Sequence, residues 1–292
     1  MTGASGAIGH MLRERLQHHD LRLTDVEAEA GVAALDVTDG AAVARMCAGV
    51  DAIVHLGGIA SEGPFEDVLA VNVRGTERVL QAAHEMNVPR VVLASSNHAV
   101  GLHVRGDDMH GGDMHGRGGG MHARGGGMHA RGGDMHARGD HMRGGDVRVQ
   151  TDGVRGGDML ADDIAPRPDS YYGWSKAAME ALGRLYHDRY GLHVVCLRIG
   201  TCTERPQHAR DLATWLSPDD AGRLVDAALH ATGFRLVWGV SANTRRWWSD
   251  AGGRAIGYEP KDDAERFKDD VEPPKPEDRL VGGDMATRPL GV

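Results

Sequence analysis

The sequence predicts an α/β chain built on a doubly wound parallel sheet with helices on both faces. Three observations carry that expectation. Short apolar runs alternate with amphipathic stretches from the first residues onward. Strands separated by helical stretches require crossover connections, which make neighbouring strands parallel. A glycine-rich turn, Gly3-Ala4-Ser5-Gly6-Ala7-Ile8-Gly9, opens the first helix.

The elements follow in order. From Gly6 to Gln17, residues Ile8, Met11, Leu12 and Leu16 recur at helical spacing. Leu21 to Val26 and Val32 to Val37 read as strands, and Ala41 to Ala48 as a helix. Ala52 to Leu56 is the next strand, before a long helix from Phe65 to Met86. Arg90 to Ala94 is a buried strand that runs into Ser95-Ser96-Asn97-His98. The pattern resumes after residue 165. Tyr172 to Tyr190 is helical, with Ala178, Leu182 and Leu185 on one side, and His193 to Ile199 is a strand. Ser217-Pro218-Asp219-Asp220 caps a helix running to His230, with Pro218 suited to its first turn. Arg235 to Val240 is a strand and Lys261 to Val271 a last short helix.

Residues 104–157 break this rhythm with a degenerate seven-residue repeat. Met114, Met121, Met128 and Met135 fall seven apart, as do His115, His122, His129 and His136. Glycine fills the other positions at a cost near 1 kcal/mol each in a helix, and no apolar heptad pair exists. The segment reads as a flexible insertion, too poor in apolar surface to offset the entropy of ordering it. Imidazoles and thioethers suit copper or nickel, but a glycine-rich coil preforms no site, so no metal is assigned. The expected organisation is a dinucleotide-binding domain with a small substrate lobe over 1–103 and 158–270, the insertion at 104–157, and a tail at 271–292. That tail is rich in proline and charge and is expected to be loosely held.

Composition narrows the function classes. The 292 residues carry 33 basic and 42 acidic side chains, a formal charge of −9, which gives no nucleic-acid footprint. No apolar run is long enough to span a bilayer, and no secretory leader is evident. Cys47, Cys196 and Cys202 form no CxxC pair and read as free thiols of a reducing cytoplasm.

The glycine turn is a candidate pyrophosphate seat. Gly3, Gly6 and Gly9 let backbone approach closely, and Ala7 and Ile8 begin a helix whose N-terminus carries positive partial charge. Asp25 ends the next strand, about 20 residues beyond the first glycine, where a carboxylate accepts the ribose hydroxyls and repels a 2′-phosphate. That selects NAD over NADP in a Rossmann-type fold. Asp36 is a candidate for the adenine end, and Leu56-Gly57-Gly58 would let backbone run along the cofactor. In this fold a buried strand precedes the turn, whereas Met1 stands directly on it here. The first strand is therefore expected to be missing, leaving unpaired backbone groups at about 1–3 kcal/mol each.

Tyr172-Gly173-Trp174-Ser175-Lys176 places a tyrosine and a lysine on one face of a helix. The Lys176 ammonium is expected to lower the Tyr172 phenol and make it a base. Ser96, at a strand end, is placed to hydrogen-bond both phenol and substrate oxygen.

Glycine turn, strand-end serine and Tyr-x-x-x-Lys in this order resemble the extended short-chain dehydrogenases, the NAD-dependent epimerase/dehydratase family. Further segments resemble its uronate dehydrogenases. They include Val54-His55-Leu56-Gly57-Gly58-Ile59, Ala94-Ser95-Ser96-Asn97-His98, Leu197-Arg198-Ile199-Gly200-Thr201-Cys202-Thr203, Thr214-Trp215-Leu216-Ser217, Val237-Trp238-Gly239, Ser241-Ala242-Asn243, Trp247-Trp248 and Pro260-Lys261-Asp262. The resemblance implies oxidation of a hexuronic acid, galacturonate or glucuronate, at C1 to an aldarolactone. It implies that Tyr172 takes the C1 hydroxyl proton, that Ser96 orients that hydroxyl, and that Asn97 and His98 touch the sugar. Arg210 would pair with the carboxylate, Ile199 and Thr201 would line the nicotinamide pocket, and Asn72 joins the cofactor residues. Ala60 stands where the family often has a substrate-binding serine, with Ser61 beside it. Relatives also imply a homo-oligomer paired through helices that include the Tyr-Lys helix. The competing readings are a nucleotide-sugar epimerase or dehydratase, disfavoured by the short chain after Arg198, and an inactive dinucleotide-binding relic.

Overall fold

The computed structural model describes residues 1–105 and 159–292, so the seven-residue repeat lies outside the described residues. In chain order the elements are α1 (Ala7–Arg15), β1 (Thr24–Asp25), β2 (Ala33–Ala34), α2 (Gly40–Cys47), β3 (Ile53–His55), α3 (Phe65–Val68), α4 (Gly75–Glu85), β4 (Arg90–Ser96), α5 (Tyr171–Tyr190) and β5 (His193–Ile199). There follow β6 (Thr201–Cys202), α6 (Asp211–Thr214), β7 (Trp215–Leu216), α7 (Pro218–His230), β8 (Phe234–Gly239) and α8 (Ala251–Ala255). Four strands hydrogen-bond in the order β3-β4-β5-β8, all parallel, and β1 pairs with β2, also parallel.

Strand alternation sorts the core onto two faces, because successive side chains point to opposite sides of a sheet. Val92 of β4 with Val195 and Leu197 of β5 pack with Leu12 and Leu16 at α1 and with Leu224 and Val225 of α7. Val91, Leu93, Val194 and Cys196, one residue out of step, pack with Val43 of α2, Val79 and Leu80 of α4, and Met179 of α5. The doubly wound architecture expected from the sequence is therefore present, with apolar side chains packed on both faces of the sheet.

The place expected to lack a strand holds Met1 and Thr2. Thr2 bridges Thr24 on one side and His55 on the other, both in parallel sense, and so joins the β1–β2 pair to the four-stranded set. Its N–H donates to the Val54 carbonyl at 3.0 Å, its carbonyl accepts from Leu56 at 3.2 Å, and Met1 accepts from Thr24 at 2.9 Å. Strand-like pairing thus exists at the end of the sheet nearest the glycine turn. Beyond it Met1, Arg22, Val43, Cys47, Ile53 and Val79 enclose a small cavity of about 40 Å³. The expected strands at 21–26 and 32–37 shrink to two residues each.

Side chains reinforce the same junction. Thr76 donates its hydroxyl to the Asn72 carbonyl at 2.6 Å. It must then accept from Nε2 of His55, 3.3 Å away, which leaves Nδ1 of His55 to accept the Thr2 hydroxyl at 2.8 Å. Burial first, and then the charge of Lys176, push His55 down from 6.5 to about 3, so it is a neutral linker. The folded value lies below the unfolded one, so the unfolded chain gains a proton first as pH falls. Stability from this site is intact above pH 6.5 and is lost progressively as pH falls from there toward its folded pKa. Denaturant unfolding at pH 7, 5.5 and 4.5 is expected to show a shallower pH slope in His55→Gln than in the unaltered chain. Equal slopes would remove His55 from the acid response.

Three other elements differ from expectation. The helix expected over 65–86 runs from Phe65 to Glu85 without leaving helical backbone, but its hydrogen bonding widens to a π-helical stretch, Leu69–Arg74, between α3 and α4. Lys261 to Val271 forms only a 3-10 turn, Ala264–Phe267. The tail is not loosely held. Leu280 and Val281 are 2% and 0% exposed, and Val281 packs with Val100, Leu160, Trp238 and Trp248. Two apolar residues anchor a segment whose average composition is polar. Both ends of the repeat are tied into this lobe: Val104 bridges Leu280, and Leu160 bridges Trp248. Among the described residues no helix is long and apolar enough to cross a membrane.

Candidate active site

A cavity of about 610 Å³ opens at the C-terminal ends of the strands, within the range of small-molecule and cofactor sites. At one end lie Gly3, Gly6, Ala7, Ile8 and Gly9, with Asp25, Val26 and Glu27 beside them. Leu56, Gly57, Gly58 and Ala60 form the middle, and Ser96, Asn97, His98, Tyr172, Lys176, Ile199, Gly200 and Cys202 the far end.

The glycine turn is tight for a stated reason. Gly3 has φ of +69°, and a Cβ there would stand 2.6 Å from the Gly57 nitrogen. A Cβ on Gly9 would stand 2.3 Å from the Gly3 carbonyl oxygen. Only bare backbone fits where the first turn of α1 meets the loop after β3. Asp25 accepts the Ser5 N–H at 2.8 Å, so the end of β1 is tied to the turn. A hydrogen-lined turn at a helix N-terminus with a carboxylate beyond it fits a dinucleotide's pyrophosphate and ribose.

Helix α5 brings Tyr172 and Lys176 to the far end of the cavity. Ser170 caps it, accepting the Gly173 N–H at 2.9 Å. Glu62 adds a second cap, accepting from Tyr171 at 3.3 Å and Tyr172 at 3.0 Å, and from Gly291 at 2.8 Å. Tyr172 and Lys176 lie one turn apart and are both buried. Lys176 donates to the Ala94 carbonyl at 2.8 Å, and its ammonium is 5.4 Å from the Tyr172 ring centre. Burial lowers Lys176 to about 8. The phenol departs from expectation: burial raises it, the Ser96 hydroxyl pulls it down, and the Asp169 charge raises it further. Lys176 stands over the ring rather than at its hydroxyl.

Several expected site residues stand elsewhere. Asp36 does not line the cavity; its Oδ1 accepts from the backbone and hydroxyl of Thr38, at 2.8 and 2.7 Å, which lowers its pKa. Asn72, in the π-helical stretch, is fully buried and clamps rather than lines. It accepts from Ile59 at 2.8 Å, donates to the Ile59 carbonyl at 3.0 Å and donates to Ser175 at 2.9 Å. It so fastens the Gly-Gly-Ile loop to α5. Ser61 is exposed and outside the lining, where Ala60 stands, because Glu62 next to it is drawn to the start of α5. Arg210 is outside the lining too. Its Nη2 donates to the Val281 carbonyl and its Nη1 to Thr214 at 3.4 Å, and its Nε has no partner. Asn97, which does line the cavity, donates to the same Val281 carbonyl at 2.7 Å. The guanidinium therefore stands one acceptor away from the cavity wall.

Residues 1–114 match the model of the NAD dependent epimerase/dehydratase family. The uronate dehydrogenase of Pseudomonas syringae pv. tomato is 34% identical over 283 residues, covering 93% of this chain and 84% of its own. That of Agrobacterium fabrum is 34% identical over 307 aligned residues, covering 99% and 97%. The chain belongs to the NAD-dependent epimerase/dehydratase family. A crystal structure of uronate dehydrogenase from Agrobacterium tumefaciens, a tyrosine-to-alanine variant complexed with NAD, superposes with a TM-score of 0.77 at 33% identity. The alignment covers 99% of this chain and 96% of that one.

Within this epimerase/dehydratase frame, sequence reasoning missed Glu62, Glu27 and Asp169 as site residues. Glu62 and Asp169 act through backbone N–H groups and a histidine distant in sequence, so no spacing announces them. Glu27 follows Asp25 closely in an exposed loop, where a carboxylate is unremarked. Among the described residues one His/carboxylate grouping has metal-ligand proximity, His18, His19 and Asp226, and none of the three lines the cavity.

Proposed function

We propose that this chain oxidises a hexuronic acid, D-galacturonate or D-glucuronate, at C1 to the aldarolactone, with NAD as acceptor. The observation that carries the reading is the convergence of Tyr172, Lys176 and Ser96 at one end of a cavity whose other end is the glycine turn and Asp25. Bound along that cavity, NAD supplies the hydride acceptor. Ser96 holds the C1 hydroxyl, Tyr172 takes its proton, and Lys176 keeps positive charge near the phenolate. The C1–H leaves as hydride while the C1–O bond becomes a carbonyl, closing the charge balance. Asn97 and His98 contact the sugar, and Arg210 receives the carboxylate, a planar guanidinium being matched to it. Asn72 positions the Gly57-Gly58 loop that the cofactor follows.

The three cysteines are free, which supports a reducing cytoplasm as its location. Leu185 and Tyr190 on α5 are 51% and 47% exposed, apolar area consistent with pairing to a second copy through that helix.

Following NADH formation with galacturonate, glucuronate and neutral galactose tests the reading. Turnover of a uronate without turnover of galactose is the expected result. Silence with all three would move the chain to the inactive-relic reading, and turnover of galactose would remove the carboxylate from recognition.

A further inference from the structure

Asp169 sits just before the cap of α5, and its side chain is fully buried. Its Oδ2 is 2.7 Å from Nδ1 of His98, and its Oδ1 accepts the Ser170 hydroxyl at 2.7 Å. Three glycines from three segments close around it. A Cβ on Gly101 would stand 1.8 Å from Oδ2, one on Gly282 1.7 Å from Oδ2, and one on Gly173 2.8 Å from Oδ1. Gly101 follows β4, Gly173 lies in the first turn of α5, and Gly282 belongs to the C-terminal segment. No side chain larger than hydrogen fits at the first two without displacing the carboxylate, so it has one place to be.

His98 lines the cavity beside Ser96 and Asn97. Its ring is edge-on to Tyr172, with centres 5.7 Å apart. Its backbone N–H donates to Ser96 at 3.2 Å, so ring and serine are fixed together. Among the described residues nothing bonds its Nε2. An ionised carboxylate only accepts, so in the neutral ring the proton sits on Nδ1 and Nε2 presents a lone pair.

We propose that Asp169 is a positioning residue that fixes His98 in its Nδ1–H tautomer, so that Nε2 accepts a hydroxyl of the sugar beside the reacting carbon. Ser96 and Tyr172 hold the C1 oxygen, and the acceptor next to them meets the neighbouring hydroxyl. This rests on the uronate reading for its substrate but not for its geometry. It makes the site read a hydroxyl donor at that position, since a site built for a hydrogen bond rejects analogues lacking it.

The test is ¹⁵N-histidine NMR on the full chain with NAD bound, with His98→Gln to assign the signal, alongside kinetics of Asp169→Asn. The asparagine is isosteric, so the glycines accommodate it. The expected result is an Nδ1–H signal for His98 in the unaltered protein that shifts toward Nε2–H in Asp169→Asn. With it, kcat/KM for the uronate falls about 10- to 100-fold while NAD affinity is unchanged. An Nε2–H tautomer in the unaltered protein overturns the proposal, and so does an unchanged tautomer or unchanged kcat/KM in the variant. If the variant fails to fold, the tautomer of the unaltered protein still decides. If no uronate is turned over, the spectrum stands apart from the activity, and the two failures are told apart.

Discussion

Tyr172→Phe is expected to lower kcat by about 10³- to 10⁴-fold, near the top of the range for loss of a positioned acid–base group, with NAD affinity within twofold of the unaltered chain. The phenol shares the end of the cavity with Ser96, His98 and Lys176, and phenylalanine keeps its packing against His98. What is lost is the atom that takes the proton. Stopped-flow NADH formation gives the rate, and fluorescence titration gives the affinity. A fall of less than tenfold would mean that another group takes the proton, with His98 the first to examine. The direction of the phenol's shift adds a pH signature. Burial raises Tyr172 above its usual value, and the reaction consumes the deprotonated form. The unaltered chain is therefore expected to speed up as pH rises from 7 to 9, and the variant's residual rate to lose that dependence.

Arg210→Met is expected to raise KM for the uronate about 10- to 100-fold and to leave neutral sugars as poor as before. A hydrogen bond to a charged partner is worth about 1.5–3 kcal/mol, which is the source of that range. Burial holds the guanidinium below its ordinary pKa, opposed by Asp211, Asp278, Asp284 and Asp169 around it. Yet its direct partners are neutral: the Val281 carbonyl and the Thr214 hydroxyl. A buried cation whose Nε has no partner retains donors for an incoming carboxylate. Arg210→Lys keeps the charge but not the fork, and is expected to recover only part of the loss. Equal KM values in all three proteins would place the carboxylate elsewhere. Because Arg210 also holds Val281, the melting temperature of each variant separates loss of recognition from loosening of the C-terminal segment.

The division between sequence and fold runs through particular residues. The sequence by itself determined the doubly wound architecture, since short apolar runs alternate with amphipathic stretches and the crossovers between them make neighbouring strands parallel. It also determined the order of the candidate site residues that line one cavity: glycine turn, Asp25, Ser96, then Tyr172 with Lys176. Those are local patterns, and each is satisfied within a few residues of chain. The structure alone decided what long-range contacts control. Thr2 pairs on both sides although it stands at the start of the described chain. Asp36 spends its carboxylate on its own turn. The tail docks through Leu280 and Val281 because two apolar side chains find a tryptophan-lined surface that sequence distance hides. Asp169 reaches His98, and Arg210 and Asn97 reach one carbonyl, only after residues far apart along the chain are folded together. Local spacing encodes periodicity and caps; a buried charge's partner is set by the three-dimensional packing that excludes water from it.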